Sequence, residues 1–233
     1  MTERTAPSYL ARWEVAEVDG IVVVIDVIRA FTTAAYAFAG GASAIWLVAG
    51  VQEAIELGTS IPGSLVMGED LGRRPEGFDL PNSPVAVSEA DVAGRVLVQR
   101  TSAGTQGAVA ATSADVLFAS SLVCATATAA AITAANEGAP AYVITGRFPD
   151  DPDGGLDDLL TAELIERVRV GLPMGEAATR AAIEDSNEAI KTLAIGGGHV
   201  HPDDIAYALD VDRFDFAMRI DRVSGRLRLT CHR

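Results

Sequence analysis

A continuous β-branched run at residues 21–25 (IVVVI) constrains the fold of this chain more than any other feature. Such a run is typical of a parallel strand buried on both faces, and ligands of open α/β sheets bind where such strands end. Asp26 and Arg29 follow the run. The local sequence leaves two interpretations open: a catalytic pair at the sheet edge, or an aspartate that caps the next helix and pairs with the arginine.

The succession of strands and helices predicts the fold class. The first five elements alternate as β-α-β-α-β and are predicted at residues 21–25, 31–38, 44–48, 51–57 and 64–67. The later elements include strands and a terminal hairpin, predicted at residues 95–99, 116–119, 141–145 and 214–229. With right-handed crossovers, this order predicts an α/β fold of three layers, α/β/α, around a largely parallel or mixed sheet.

Composition limits the class of protein. The chain has 233 residues, 49% of them hydrophobic, and its Gly/Pro clusters are too short for a linker. We therefore expect a single α/β domain over residues 1–233, or two closely packed lobes. A net charge of −14 argues against nucleic-acid and membrane partners. No long apolar run and no signal-like N-terminus are present, which predicts a cytoplasmic protein, and a homo-oligomer stays open.

Polar residues follow several of the other predicted strands. The long segment at residues 71–84 is interpreted as an ordered active-site loop, and it contains Asn82. Residues 100–107 combine a strand end, a Gly/Ser/Thr turn and a helix start. Helix N-termini offer free N–H groups and favour negative charge, so we predict an anion site at residues 102–105. The aspartates at residues 150–158 open another helix and form a candidate cation site.

Five motifs occur in a fixed order and together resemble one known family. They are IDVIRA at residues 25–30, Gly68-Glu69, GFDLPNSP at residues 77–84, the turn at residues 101–105 and LDDLL at residues 156–160. The chain thereby resembles the 2-phosphosulfolactate phosphatases from about residue 21 to residue 225. The resemblance implies a Mg²⁺-dependent phosphatase that acts on a small anionic substrate and converts 2-phospho-3-sulfolactate to 3-sulfolactate and phosphate.

Candidate roles follow from this resemblance and from the needs of phosphoryl transfer. Catalysis is assigned to Asp26, Arg29 and Glu69, and Mg²⁺ to the carboxylates of Asp26, Glu69 and Asp158. Asp26 could instead be a nucleophile, but the second aspartate of an Asp-x-Asp motif is missing, so activated water is preferred. The predicted substrate-binding residues are Asn82, Arg100, Ser102, Gly104, Thr105 and Arg147.

Three positions differ from the family pattern: Asp70, Ala103 and Cys124. An aspartate near an anion pocket is expected to disfavour a second acidic group on the substrate. Two alternatives therefore stand beside the main interpretation. One is a phosphatase for a different phosphorylated metabolite, and the other is a non-catalytic protein that binds such a metabolite.

Overall fold

Ten strands form one mixed sheet in the computed structural model, which describes residues 4–232. In chain order they are β1 (Ser8–Ala11), β2 (Ile21–Ile25), β3 (Ala44–Leu47), β4 (Leu65–Gly68), β5 (Leu80–Pro81), β6 (Val96–Arg100), β7 (Val116–Ser120), β8 (Ala141–Ile144), β9 (Ala217–Val223) and β10 (Arg226–His232). Across the sheet the order is β1-β8-β2-β7-β9-β10-β3-β6-β4-β5.

The sheet consists of two parallel groups with a hairpin between them. Strands β1, β8, β2 and β7 form the first group, and β3, β6, β4 and β5 form the second. The hairpin β9–β10 pairs antiparallel with β7 on one side and with β3 on the other. The predicted mixed sheet and the predicted terminal hairpin are thus confirmed.

Helices cover both faces of the sheet. They are α1 (Ala30–Ala39), α2 (Val51–Ser60), α3 (Pro84–Glu89), α4 (Gly104–Ala110), α5 (Ala125–Ala135), α6 (Leu156–Arg169), α7 (Glu176–Glu184), α8 (Asn187–Ile195) and α9 (Asp204–Ala208). Side chains of β2 alternate between two cores: Val22 and Val24 join the core of α1, whereas Val23 joins that of α5 and α6. The predicted three-layer α/β/α class is confirmed.

The central strand shows why the sequence folds this way. All five residues of β2 are fully buried, because β7 and β8 flank it and helices cover it above and below. Burial of a Val or Ile side chain contributes about 1.5–3 kcal/mol, so this strand is a strong anchor. The residues that follow β2 are therefore held in a fixed place.

Three short elements were not among those predicted: β1, β5 and α3. Each is six residues or fewer, and β1 and β5 are mostly half-buried, so their apolar patterns are weak. The helical segment around residues 175–195 is divided into α7 and α8. The break occurs at Ser186, whose side chain caps α8 by accepting a hydrogen bond from the Ala189 N–H at 3.2 Å. In residues 4–232 no helix has the length and apolarity needed to cross a membrane.

Candidate active site

A cavity of about 320 Å³ lies at the carboxyl ends of strands from both parallel groups. The segments that follow β2, β4, β5, β6 and β8 each contribute to its wall, as the rule for ligand sites in α/β sheets predicts. Six of the residues selected from the sequence line it: Asp26, Arg29, Glu69, Asn82, Ser102 and Asp158.

Asp26 directly follows β2 and is almost fully buried. Its Oδ1 accepts a hydrogen bond from the Ala30 N–H at 2.8 Å, and the Gly104 N–H also donates to its carboxylate. Burial, with a smaller contribution from the charge of Glu69, raises the pKa of Asp26 to about 6. Asp26 thus tethers the start of α1 and also faces the cavity with a carboxyl group that can exchange a proton near neutral pH.

The small size of residue 104 allows this arrangement. A Cβ at Gly104 would lie 2.7 Å from Asp26 Oδ2 and 2.8 Å from the Cβ of Ala30. Both distances are shorter than side chains tolerate, so only glycine lets the turn approach the carboxylate this closely.

The turn after β6 binds carboxylates of the protein itself. The Ser102 N–H and hydroxyl both donate to Glu69, and the Gly104 N–H donates to Asp26. The Thr105 N–H donates to Thr101 Oγ1 at 3.0 Å, and Thr105 is fully buried outside the cavity lining. Three of the four N–H groups predicted to hold an anion, those of Ser102, Gly104 and Thr105, are therefore already engaged, and contact of this turn with phosphate stays a prediction.

Arg29 is held by a residue that sequence reasoning did not select. Its Nη1 donates to Asp204 Oδ2 at 2.7 Å and to the His199 carbonyl at 3.1 Å. Burial lowers the pKa of Arg29, and the charge of Asp204 opposes this effect. Asp204 also accepts a hydrogen bond from Ser83 Oγ at 2.6 Å. The sequence could have pointed to Asp204 only through its position in the first turn of a short predicted helix, and aspartates at such positions usually serve only as caps.

Two aspartates in the first turn of α6 bind the backbone that follows β2. Asp158 Oδ1 accepts from the Val27 N–H at 2.9 Å, and Asp157 Oδ2 accepts from the Ile28 N–H at 3.1 Å. Burial and then neighbouring carboxylates raise the pKa of Asp157 to about 7 and that of Asp158 well above its ordinary range. Asp157 belongs to the candidate cation site predicted at residues 150–158, and it lines the same cavity, although only Asp158 of the two was assigned to Mg²⁺.

Mg²⁺ is compatible with the donor set of this cavity. Magnesium takes oxygen ligands and usually keeps several waters, so one or two carboxylates suffice. The mutual repulsion among these buried carboxylates would be relieved by a cation, and the Oδ1 of Asn82 is buried without a hydrogen-bond partner within residues 4–232. Across those residues, however, no three His, Cys, Asp or Glu side chains are arranged as a ready metal site.

Two predicted substrate-binding arginines lie outside the lining of this cavity. Arg100 Nη1 donates to Asp70 Oδ1 and to the Glu69 carbonyl, both at 2.7 Å. Arg147 Nη1 donates to the Tyr9 carbonyl at 3.1 Å. The sequence led us to expect Asp70 at the anion pocket. Asp70 is instead half-exposed, pairs with Arg100 and lies outside the lining of the cavity.

One wall of the cavity is formed by α8, a helix to which the sequence analysis assigned no role. Residues Glu188, Lys191, Thr192 and Ile195 line the cavity, and their spacing places them on one face of the helix. Glu188 Oε1 accepts a hydrogen bond from the Gly155 N–H at 2.8 Å, which ties α8 to the start of α6.

Comparison with known proteins places the chain in a family. The family model described as 2-phosphosulpholactate phosphatase matches residues 10–221. A probable 2-phosphosulfolactate phosphatase of Bacillus subtilis is 33% identical over 86% of each chain. Proteins of the same description from Deinococcus radiodurans and Thermoplasma acidophilum are 36% and 30% identical, over 76% and 89% of this chain and 71% and 88% of theirs.

The chain belongs to the 2-phosphosulfolactate phosphatase family. The resemblance predicted from the five motifs is thereby confirmed, and so is the class of enzyme, because the family is one of phosphoric monoester hydrolases. In this member of the 2-phosphosulfolactate phosphatase family, the motif residues Asp26, Glu69 and Asn82 meet in one cavity.

Proposed function

We propose that this protein is a Mg²⁺-dependent phosphatase that hydrolyses 2-phospho-3-sulfolactate to 3-sulfolactate and inorganic phosphate. The observation that carries the proposal is the cluster of buried acids around Asp26 in a cavity at the strand ends. The names of the relatives support the choice of substrate.

The carboxylates of Asp26, Glu69 and Asp158 would hold the cation, with the Asn82 amide oxygen as a further donor. When bound, Mg²⁺ would neutralise charge on the phosphoryl oxygens and help to orient the ester. The chain keeps these donors in place through hydrogen bonds from its own backbone: Ser102 fixes Glu69, Gly104 fixes Asp26 and Val27 fixes Asp158.

The residues of the chain then have separate tasks in hydrolysis. Asp26 accepts a proton from the attacking water on a carboxylate oxygen that is not engaged by the cation, as the water oxygen bonds to phosphorus. The ester P–O bond breaks, the leaving alkoxide takes up a proton from water to give the hydroxyl of 3-sulfolactate, and Asp26 returns its proton to water, which restores the carboxylate. Arg29, held in position by Asp204, orients the phosphoryl group and offsets its charge.

The test is release of inorganic phosphate from two esters, with Mg²⁺ and with a chelator. We expect turnover of 2-phospho-3-sulfolactate that depends on Mg²⁺ and exceeds that of a simple alkyl phosphate. Equal rates on both esters would point to a different phosphorylated substrate. Absence of turnover together with tight binding of 2-phospho-3-sulfolactate would establish a binding protein instead.

A further inference from the structure

Lys191 is the single lysine of the 233-residue sequence, and it lies in the wall of the candidate active site. It belongs to the face of α8 that also presents Glu188, Thr192 and Ile195 to the cavity. All other basic side chains of the sequence, apart from three histidines, are arginines.

The charge balance of the cavity gives this lysine its significance. Six acidic residues line the cavity: Asp26, Glu69, Asp151, Asp157, Asp158 and Glu188. Among the described lining residues, only Arg29 and Lys191 carry positive charge. Arg29 is buried, paired with Asp204 and assigned to the phosphoryl group, so it does not serve a second acidic group of the substrate.

Lys191, in contrast, is free to change its partner. Its Nζ lies 3.6 Å from Asp151 Oδ2, and the two side chains are 70% and 53% exposed. An exposed pair at this distance contributes little to stability, because water screens both charges. The long flexible stem of lysine lets the ammonium move from Asp151 to an anion inside the cavity.

We propose that Lys191 is a specificity-determining residue that binds an acidic group of the substrate other than the phosphate. This inference rests on the proposed function. In 2-phospho-3-sulfolactate, a carboxylate and a sulfonate accompany the phosphate. Neither Arg100 nor Arg147 lines the cavity, and both donate to other parts of the chain, so Lys191 is the cation placed to receive one of these groups.

The kinetic test uses Lys191→Gln, which removes the positive charge and keeps a polar, somewhat shorter side chain. For 2-phospho-3-sulfolactate we expect KM to rise by about 10-fold or more, the usual cost of losing a hydrogen bond to a charged group, with kcat little changed. For an alkyl phosphate that lacks both acid groups, KM and kcat should stay as in the wild type. Lys191→Arg should restore most of the affinity for the sulfonated ester.

A matched control removes the same charge elsewhere. Arg180 is an exposed residue of α7 outside the lining of this cavity, so Arg180→Gln should leave KM and kcat unchanged for both esters. Equal losses on both esters in Lys191→Gln would mean that the lysine only supports α8, and unchanged constants on both would mean that it has no role. Either result overturns the proposal. Wild-type enzyme that turns over neither ester contradicts the proposed function instead.

A second measurement does not depend on turnover. Because Lys191 is the single lysine, reductive methylation modifies one side chain, and the N-terminal amine serves as an internal standard in mass spectrometry. We expect 3-sulfolactate to slow methylation of Lys191 without slowing that of the N-terminus, and inorganic phosphate to protect much less. Unchanged methylation in the presence of saturating 3-sulfolactate would overturn the assignment.

Discussion

Individual residues of the site are held by hydrogen bonds between side chains and backbone more than by ion pairs. Asp26, Glu69 and Asp158 each accept at least one backbone N–H group, and each is at least nine-tenths buried. A buried carboxylate is costly unless it is hydrogen-bonded or paired. A substitution that removes the charge of one of these carboxylates and keeps its shape therefore separates a catalytic role from a packing role.

Asp26→Asn makes that separation. The amide oxygen can still accept from the Ala30 N–H, so we expect an intact fold, while loss of the base lowers kcat by at least about 100-fold. Phosphate release and the melting temperature, measured on the same sample at pH 8, check both parts. Wild-type turnover in this variant would reduce Asp26 to a helix cap.

Gly104→Ala tests how closely the turn must approach Asp26. The added methyl group would lie 2.7 Å from Asp26 Oδ2, so the turn or the carboxylate has to shift, at a cost of about 1–3 kcal/mol in stability. We expect a kcat loss on the order of 10-fold, since small misplacements at the reacting centre are expensive. Gly50→Ala, whose added Cβ would lie 3.4 Å from the nearest atom, is the control and should retain activity.

Asp204, in the first turn of α9, links this helix to α3 and to the segment after β2. It accepts hydrogen bonds from Arg29, from Ser83 at the start of α3 and from the His201 N–H. Asp204 and Arg29 are both buried, so neither charge can be solvated if the other is removed. One carboxylate thus links two short helices to the segment after β2.

Asp204→Ala should therefore be strongly destabilising. Removal of one partner of a buried pair leaves an uncompensated charge, which costs about 3–5 kcal/mol. Denaturant unfolding of Asp204→Ala, Ser83→Ala and the double variant gives the coupling between the two residues. A loss below about 1 kcal/mol in the single Asp204 variant would contradict this account.

The strand and helix order was predictable because long apolar runs and Gly-rich turns are local signals. Residues 21–25 are the predicted strand, and the helix predicted at residues 31–38 is observed at Ala30–Ala39. The partners of each strand were not predictable to the same degree. Nothing local in β9 or β10 shows that the hairpin pairs with β7 and β3 and so joins the two parallel groups.

The same division applies to the site. Asp26 and Glu69 follow strands directly, and their place in the cavity could be inferred from that position. Lys191 lies on a helix that reaches the cavity only through tertiary packing, and Asp204 lies on a helix that contacts Arg29 in the same way. Arg100 is the last residue of β6, yet its guanidinium pairs with Asp70, because side-chain direction depends on neighbours distant in sequence.

At the scale of the whole molecule, the buried acids link stability to pH. The folded-state pKa values of Asp26 and Asp157, about 6 and about 7, lie above the ordinary value of 3.8. The folded protein then binds more protons than the unfolded chain between about pH 4 and pH 7. The contribution of these groups to the free energy of unfolding is complete below that window and is lost as the pH rises through it.

We expect this effect to amount to a few kcal/mol, on the order of the shifts of two buried carboxyls. The measurement is the free energy of unfolding in a chelator at pH 5 and at pH 8. Asp157→Asn retains an acceptor for the Ile28 N–H and should show a smaller loss between the two values. Identical pH profiles for wild type and variant would contradict the assignment to Asp157.

The position of the β9–β10 hairpin has a consequence for biosynthesis. Its residues, 217–232, are among the last of this sequence to leave the ribosome, yet they occupy the middle of the sheet. Until they emerge, β7 and β3 present unpaired edges, and exposed edges are prone to pair with other chains. A nascent chain stalled before residue 217 should therefore aggregate or recruit chaperones, and emergence of residues 217–232 should join the two parallel groups into one sheet.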